Sequence, residues 1–197
     1  MTAAAATVPF ANQNGNPSVN VAGFSEVLDF IAIMNYDIWG PWSPTVGPNA
    51  PLDDTCAVAR NKAGSAVSAV KLWNKAGIPV NKIVLGVPGY GHSFRVLRKD
   101  AFKPGSTTIL ASYPKFNAND TPIGDSWDDA ARPDVCGAMQ SAGGNINFWG
   151  LVEQGYLNVD GTPKKGIPYA FDNCSQTVSN LQKSSIDLSD VITALCL

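Results

Sequence analysis

With 197 residues, 45% hydrophobic and only 15% charged, the chain can bury the core of one large or two small domains, which excludes wholesale disorder. Its net charge is −2 and its 14 Lys and Arg are scattered, which argues against nucleic acid or an anionic membrane surface as partners. No apolar run approaches the ~20 residues that span a bilayer, and Met1–Phe10 lacks the basic start and long apolar stretch of a signal peptide.

In chain order, Thr2–Val8 is a run of small and β-branched residues that predicts a tightly packed strand. A turn-rich loop over 12–17 and a short helix over 22–28 follow. Phe30–Tyr36 is nearly continuous in apolar character, as expected of a parallel strand covered on both faces. A Pro/Gly-rich loop, 40–51, carries Trp42 and follows Trp39. Ser65 is placed to cap a helix over 66–76, on which Val67, Val70 and Trp73 share a face. Gly77 and Pro79 supply its stop. Lys82–Val87 reads as another apolar strand, and strand alternating with helix predicts βαβ units in an α/β fold.

Beyond Gly91 the composition changes. Residues 92–173 are rich in aromatics, Gly, Pro and Asp, without a long helical period, and predict a separate, mostly strand-built region. Asp160-Gly161 within it is a hairpin-type turn signal. Four cysteines, at 56, 136, 174 and 196, are too widely spaced for a CxxC redox motif or a zinc ribbon. Their number permits a disulfide framework with three connectivities, or free buried thiols.

Few residues advertise chemistry. His92 is the only histidine, and its neighbour Ser93 points to the opposite face of a strand, so the two are not a catalytic pair. A structural role is expected for His92. Gly86, Gly89 and Gly91 do not fit a nucleotide-binding pattern. Asp125, Asp128 and Asp129 are expected in a solvated loop rather than a calcium site. Ile33–Trp39 is more informative. A buried strand there ends by presenting Tyr36 and Asp37, then enters a loop with Trp39 and Trp42. Ligands of parallel α/β proteins gather at the carboxyl ends of strands. A hydroxyl, a carboxylate and exposed indoles at that place suit a sugar.

The residues Met34-Asn35-Tyr36-Asp37 resemble the M-x-Y-D motif on the sixth barrel strand of secreted fungal family 18 chitinases. Leu85–Phe94 (Leu-Gly-Val-Pro-Gly-Tyr-Gly-His-Ser-Phe) resembles that family's seventh strand and its Y-G-x-S-F continuation. Residues 2–10 resemble the fifth strand. The resemblance covers about residues 1–177. It implies an α/β fold comprising part of a (β/α)8 TIM barrel, strands five to seven, over 1–91. An α+β chitinase insertion domain over 92–173 and a divergent tail over 174–197 would follow. It also implies chitin or chitooligosaccharide as partner, no metal or other cofactor, and an extracellular location. Asn173-Cys-Ser175 fits a glycosylation sequon.

By the same resemblance, Tyr36 would hydrogen-bond the substrate's N-acetyl group during substrate-assisted retention, a departure from the usual two-carboxylate scheme. Asp37 would hold the sugar and Met34 would floor its subsite. Trp39, Trp42 and Tyr90 would be further substrate contacts. His92 stands where many relatives have arginine. The family's general acid lies in a D-x-x-D-x-D-x-E motif on strand four. The two glutamates of this sequence, Glu26 and Glu153, sit in no such motif. General acid catalysis contributes about 10²–10⁴-fold, so this part of a chitin hydrolase is expected not to hydrolyse chitin alone, the alternatives being a non-catalytic chitin-binding module and a non-functional fragment. A partial barrel of three strands would also leave two open apolar edges.

Overall fold

The computed structural model describes residues 1–183 and 188–195, which form two compact units. The first comprises Met1–Ile38, Ala50–Pro88 and Cys174–Gln176. Its elements are β1 (Thr2–Ala5), α1 (Phe24–Val27), β2 (Phe30–Met34), α2 (Ala66–Lys75) and β3 (Ile83–Gly86). The strands form a parallel sheet in the order β1-β2-β3, with Ile31 opposite Ala3 and Ile83. β1 is shorter than the sequence predicts. Beyond its end the Ala6 carbonyl accepts a hydrogen bond from the Trp73 indole at 2.9 Å, and Pro9 has no N–H to give a ladder.

Helix α2 forms where the sequence provides both its ends. The Ser65 hydroxyl accepts from the Ser68 N–H at 3.2 Å, and the Ser68 hydroxyl accepts from the Ser65 N–H at 2.8 Å, a reciprocal capping box. Ser65 Oγ also donates to Asp54 Oδ1 at 2.9 Å, so the cap is itself braced. Gly77, at φ +107°, follows the helix end. Trp73 is fully buried among Ile31, Ile33, Ala69 and Ile78, with Phe10 edge-on at 4.9 Å.

Alternation along the strands decides what α2 covers. Ile31 and Ile33 are buried, and Ile83 and Leu85 pack against the same cluster, whereas Phe30, Met34 and Val84 are exposed. The expectation of a strand covered on both faces is therefore corrected, because only one face carries a helix among the described residues. No closed barrel forms among them either.

The second unit comprises Trp39–Asn49, Gly89–Asn173 and Thr177 onward. It holds β4 (Tyr90–Leu97), α3 (Arg98–Ala101), β5 (Arg132–Pro133), β6 (Met139–Gln140), β7 (Asn145–Asn147), α4 (Phe148–Glu153), β8 (Tyr169–Asp172), β9 (Thr177–Lys183) and β10 (Leu188–Leu195). Five of these strands make an antiparallel sheet in the order β7-β4-β10-β9-β8, and β5 pairs with β6 alone. Neighbouring residues of β10 feed opposite faces. Val191 joins Phe94, Val96, Phe102 and Leu181, while Ile192 joins Ile146, Leu151 and Leu157. Both β9 and β10 lie within the segment expected as a divergent tail, 174–197. The Asp160-Gly161 turn is present, with Leu157 bridged to Pro163 and Gly161 at φ +82°.

Of the possible cysteine pairs, Cys56–Cys174 is formed, across 118 residues of sequence. Beside it the Leu52 N–H donates to the Ser175 carbonyl at 2.8 Å, so 174–176 belongs to the first unit. Cys136 is an exposed free thiol, and Cys196 lies outside the described residues. Closing a loop of this length restricts the unfolded chain strongly. Reduction, or Cys174→Ser, should therefore lower unfolding stability by about 2–4 kcal/mol, read from urea titrations with and without reductant.

Near the same bridge the Asp53 carboxyl is held below its ordinary value, first by the Thr55 N–H at 3.0 Å and then by the Thr55 hydroxyl at 2.9 Å. A depressed folded value stabilises above the ordinary carboxylate value and is lost as pH falls through the folded one. Thr55→Val removes the hydroxyl donor, so the Asp53 titration followed by carboxyl NMR should move up toward its ordinary value.

Candidate functional site

In the first unit the site is built where β2 leaves its ladder. Met34 is the last residue of the strand and pairs with Gly86 of β3. The Asn35 N–H then turns back to the Ile33 carbonyl at 3.0 Å. Asn35 is buried, and its Oδ1 accepts no hydrogen bond among the described residues. Tyr36 is half-buried, with its ring lying over Gly86. A Cβ at residue 86 would stand 3.1 Å from Tyr36 Cε1 and 2.8 Å from the Ile33 carbonyl oxygen. A side chain there would have to displace backbone or ring, so a glycine lets the tyrosine lie flat on the strand end. Asp37 is exposed and sits at φ +56°, a conformation uncommon for a residue other than glycine and often found at functional sites. Met34, Tyr36 and Asp37 are thus brought together as a thioether, a phenol and a carboxylate at the carboxyl end of a parallel strand.

Tyr90 and Trp42 belong to the second unit. Tyr90 and His92 lie on one face of β4, directly opposite Asn147 and Asn145 of β7. The His92 ring is buried and meets the Tyr90 ring edge-on at 5.8 Å and the Trp42 ring at 5.7 Å. The His92 ring thus lies between two aromatic rings. Trp42 is 65% exposed, its ring folded back over Gly40. Trp39 corrects the expectation of exposed indoles in this loop. It is 4% exposed, packed on Gly47 and tilted against Tyr113 at 5.3 Å, so it is a core residue.

The acidic loop also departs from expectation. Asp125 is buried and accepts from the Asn147 N–H and Nδ2 and from the Trp127 N–H. Asp128 accepts from the N–H groups of Gly124, Gly144 and Asn145 at 2.8, 2.9 and 3.1 Å. These two carboxylates are anchors for backbone donors rather than solvated charges. Among the described residues no group of three His, Cys, Asp or Glu is placed to hold a metal ion. Between this loop and β4 lies a cavity of about 220 Å³ lined by Tyr90, Trp127, Asp128, Asp129, Asn145 and Asn147. Trp127, Asn145 and Asn147 carry no motif that singles them out, since only folding sets them beside Tyr90. Glu26 lies in α1 and Glu153 ends α4. No helix among the described residues is long and apolar enough to cross a membrane.

The chain matches the model of glycosyl hydrolases family 18 over residues 2–187. It is 58% identical over 177 residues to a "chitinase-like effector" of Moniliophthora roreri, a match covering 90% of this chain and 43% of that protein. A second "chitinase-like effector", from Moniliophthora perniciosa, is 55% identical over 170 residues, covering 86% of this chain and 38% of that one. The chain thus spans less than half the length of these curated relatives. Among solved structures, a chitinase of Rhizomucor miehei superposes with a TM-score of 0.79 at 28% identity, over 99% of this chain and 50% of that one. A class V chitinase of tobacco superposes with a TM-score of 0.63 at 20% identity, over 99% and 44%. These likenesses identify an α/β fold of the TIM-barrel type, and the chain belongs to glycosyl hydrolase family 18.

Proposed function

We propose that this chain binds chitin or chitooligosaccharide without hydrolysing it, as a part of a family 18 chitinase-like protein comprising barrel strands five to seven and an α+β insertion region. The observation that carries the proposal is the intact end of β2. Met34, Tyr36 and Asp37 keep the groups suited to an N-acetylated sugar, while the 197 residues contain no D-x-x-D-x-D-x-E motif to supply a general acid. Binding and chemistry are separable here, because a phenol and a carboxylate can hold hydroxyl and amide groups without protonating a leaving oxygen. Solved relatives add support, since the tobacco enzyme was crystallised with NAG4 and a Cycas revoluta chitinase with (GlcNAc)3. The relatives named as effectors fit a non-catalytic role. An extracellular location is part of the proposal, supported by the Cys56–Cys174 bridge.

Retention on chitin beads tests the proposal. The purified chain should be retained and should release no product from a chromogenic chitooligosaccharide above background. Trp42→Ala and the pair Tyr36→Phe with Asp37→Ala should lose retention. Turnover by the pure chain, or retention indifferent to all these changes, sinks the reading.

Gly86→Ala probes the same strand end through its packing. The added methyl meets the Ile33 carbonyl and the Tyr36 ring, and overpacking of this kind costs about 1–3 kcal/mol. A lower urea midpoint together with weaker chitooligosaccharide binding is expected, whereas the exposed change Val159→Ala should alter neither.

A further inference from the structure

Two asparagines of this sequence stand two residues before a serine or threonine with no proline between, Asn119-Asp-Thr121 and Asn173-Cys-Ser175. Their local structures place them under opposite constraints. Asn119 is exposed on a surface turn, its N–H donating to Asn117 Oδ1 at 3.1 Å, and its sequon contains no cysteine. Asn173 is exposed as well, but the residues after it are held. Asp172 and Thr177 pair directly, so 173–176 is the whole turn between β8 and β9. Cys174, the second residue of that turn, is bridged to Cys56. Ser175 is only 3% exposed, and its carbonyl accepts from the Leu52 N–H at 2.8 Å. Gln176 completes the turn at φ +54°.

Glycan transfer requires more than an exposed asparagine. The acceptor's amide nitrogen bonds to C1 of a lipid-linked oligosaccharide diphosphate. The C1–O bond breaks, the lipid diphosphate leaves, and the amide gives up one proton. The asparagine is recognised together with the hydroxyl two residues on, so all three residues must be reached at once. With the bridge closed and the β8–β9 ladder formed, Ser175 is buried and Cys174 is tethered. Transfer to Asn173 is therefore open only while this turn is still free chain. Disulfide formation takes seconds to hours, depending on oxidant and isomerase, which leaves the two reactions in competition for the same tripeptide.

We infer that Asn173 is an N-glycosylation acceptor whose occupancy is set by closure of the Cys56–Cys174 bridge, glycan being added only to chains in which Cys174 is still a thiol. The inference goes beyond chitin binding and rests on the extracellular part of the proposed function, because both reactions belong to an oxidising secretory compartment.

The test expresses the full chain behind a secretion signal in a eukaryotic host and collects it from cells and medium together. Enzymatic glycan release converts each occupied asparagine to aspartate, and peptide mass spectrometry then reads Asn119 and Asn173 separately. The parent should carry the bridge, with glycan on a minority of Asn173. Cys56→Ser keeps the sequon and Cys174 but removes the bridge, and should raise the occupied fraction at Asn173 severalfold while leaving Asn119 unchanged. Cys136→Ser, which removes the exposed free thiol, should change neither, and Ser175→Ala should abolish glycan at Asn173. Occupancy is read in cells as well as medium, so a variant that fails to fold still answers. No rise at Asn173 in Cys56→Ser, or an equal rise at Asn119, overturns the coupling to the bridge. Absence of glycan at Asn173 even in Cys56→Ser overturns the acceptor while the extracellular reading stands. A secreted parent with Cys56 and Cys174 both reduced overturns that reading as well.

Discussion

The indole of Trp73 is the contact on which the first unit depends. It is fully buried between α2 and the parallel sheet, and its N–H ends in the Ala6 carbonyl just past β1. One side chain therefore fixes the distance of the helix from the sheet and the point where the first strand stops. Losing a buried tryptophan of this kind costs about 3–5 kcal/mol, a large share of the stability of any domain this size. The strand end of the first unit follows from that placement, because β2 can deliver Met34, Tyr36 and Asp37 only while Ile31 and Ile33 are pinned underneath.

The second unit solves a different problem with different means. Its antiparallel sheet is packed on both faces, so the loops at its margin can be anchored without contributing apolar mass. Asp125 and Asp128 show how. A carboxylate that collects two or three backbone N–H groups acts as a local knot, satisfying donors that a short irregular loop would otherwise leave unmet. The aromatic surface then has a graded arrangement. Trp39 is core, His92 is a buried spacer, Tyr90 is half-buried, and Trp42 and Trp127 reach solvent.

What the sequence made legible was whatever depended on near neighbours. The apolar runs around Ile31–Ile33 and Ile83–Leu85, the Ser65 cap and the Gly77 stop all act over a few residues, and each appears in the structure. The M-x-Y-D strand end was legible through its motif. Interactions closed over long separations were not. Trp39 is buried by Tyr113 and Gly47, and no local pattern distinguishes it from Trp42 three residues on. Tyr36 lies on Gly86 because β2 and β3 pair in one register. Asp129 is exposed as the sequence predicts, whereas Asp125 and Asp128 are held by backbone donors, several of which lie about twenty residues away. The choice among three disulfide pairings likewise required the fold.

The placement of β10 between β4 and β9 also sets an order of events at the ribosome. Phe94 of β4 faces Val191 of β10, so about a hundred residues must be translated before the central pair of the sheet can zip. At roughly 5–20 residues per second that is a wait of about 5–20 s, during which Phe94 and Val96 have only the nearer members of their cluster, Val46, Ala101, Phe102 and Leu110, to pack against. The β9–β10 ladder, local in sequence, can form at once when it emerges. The five-stranded sheet of the second unit is thus completed from its C-terminal end.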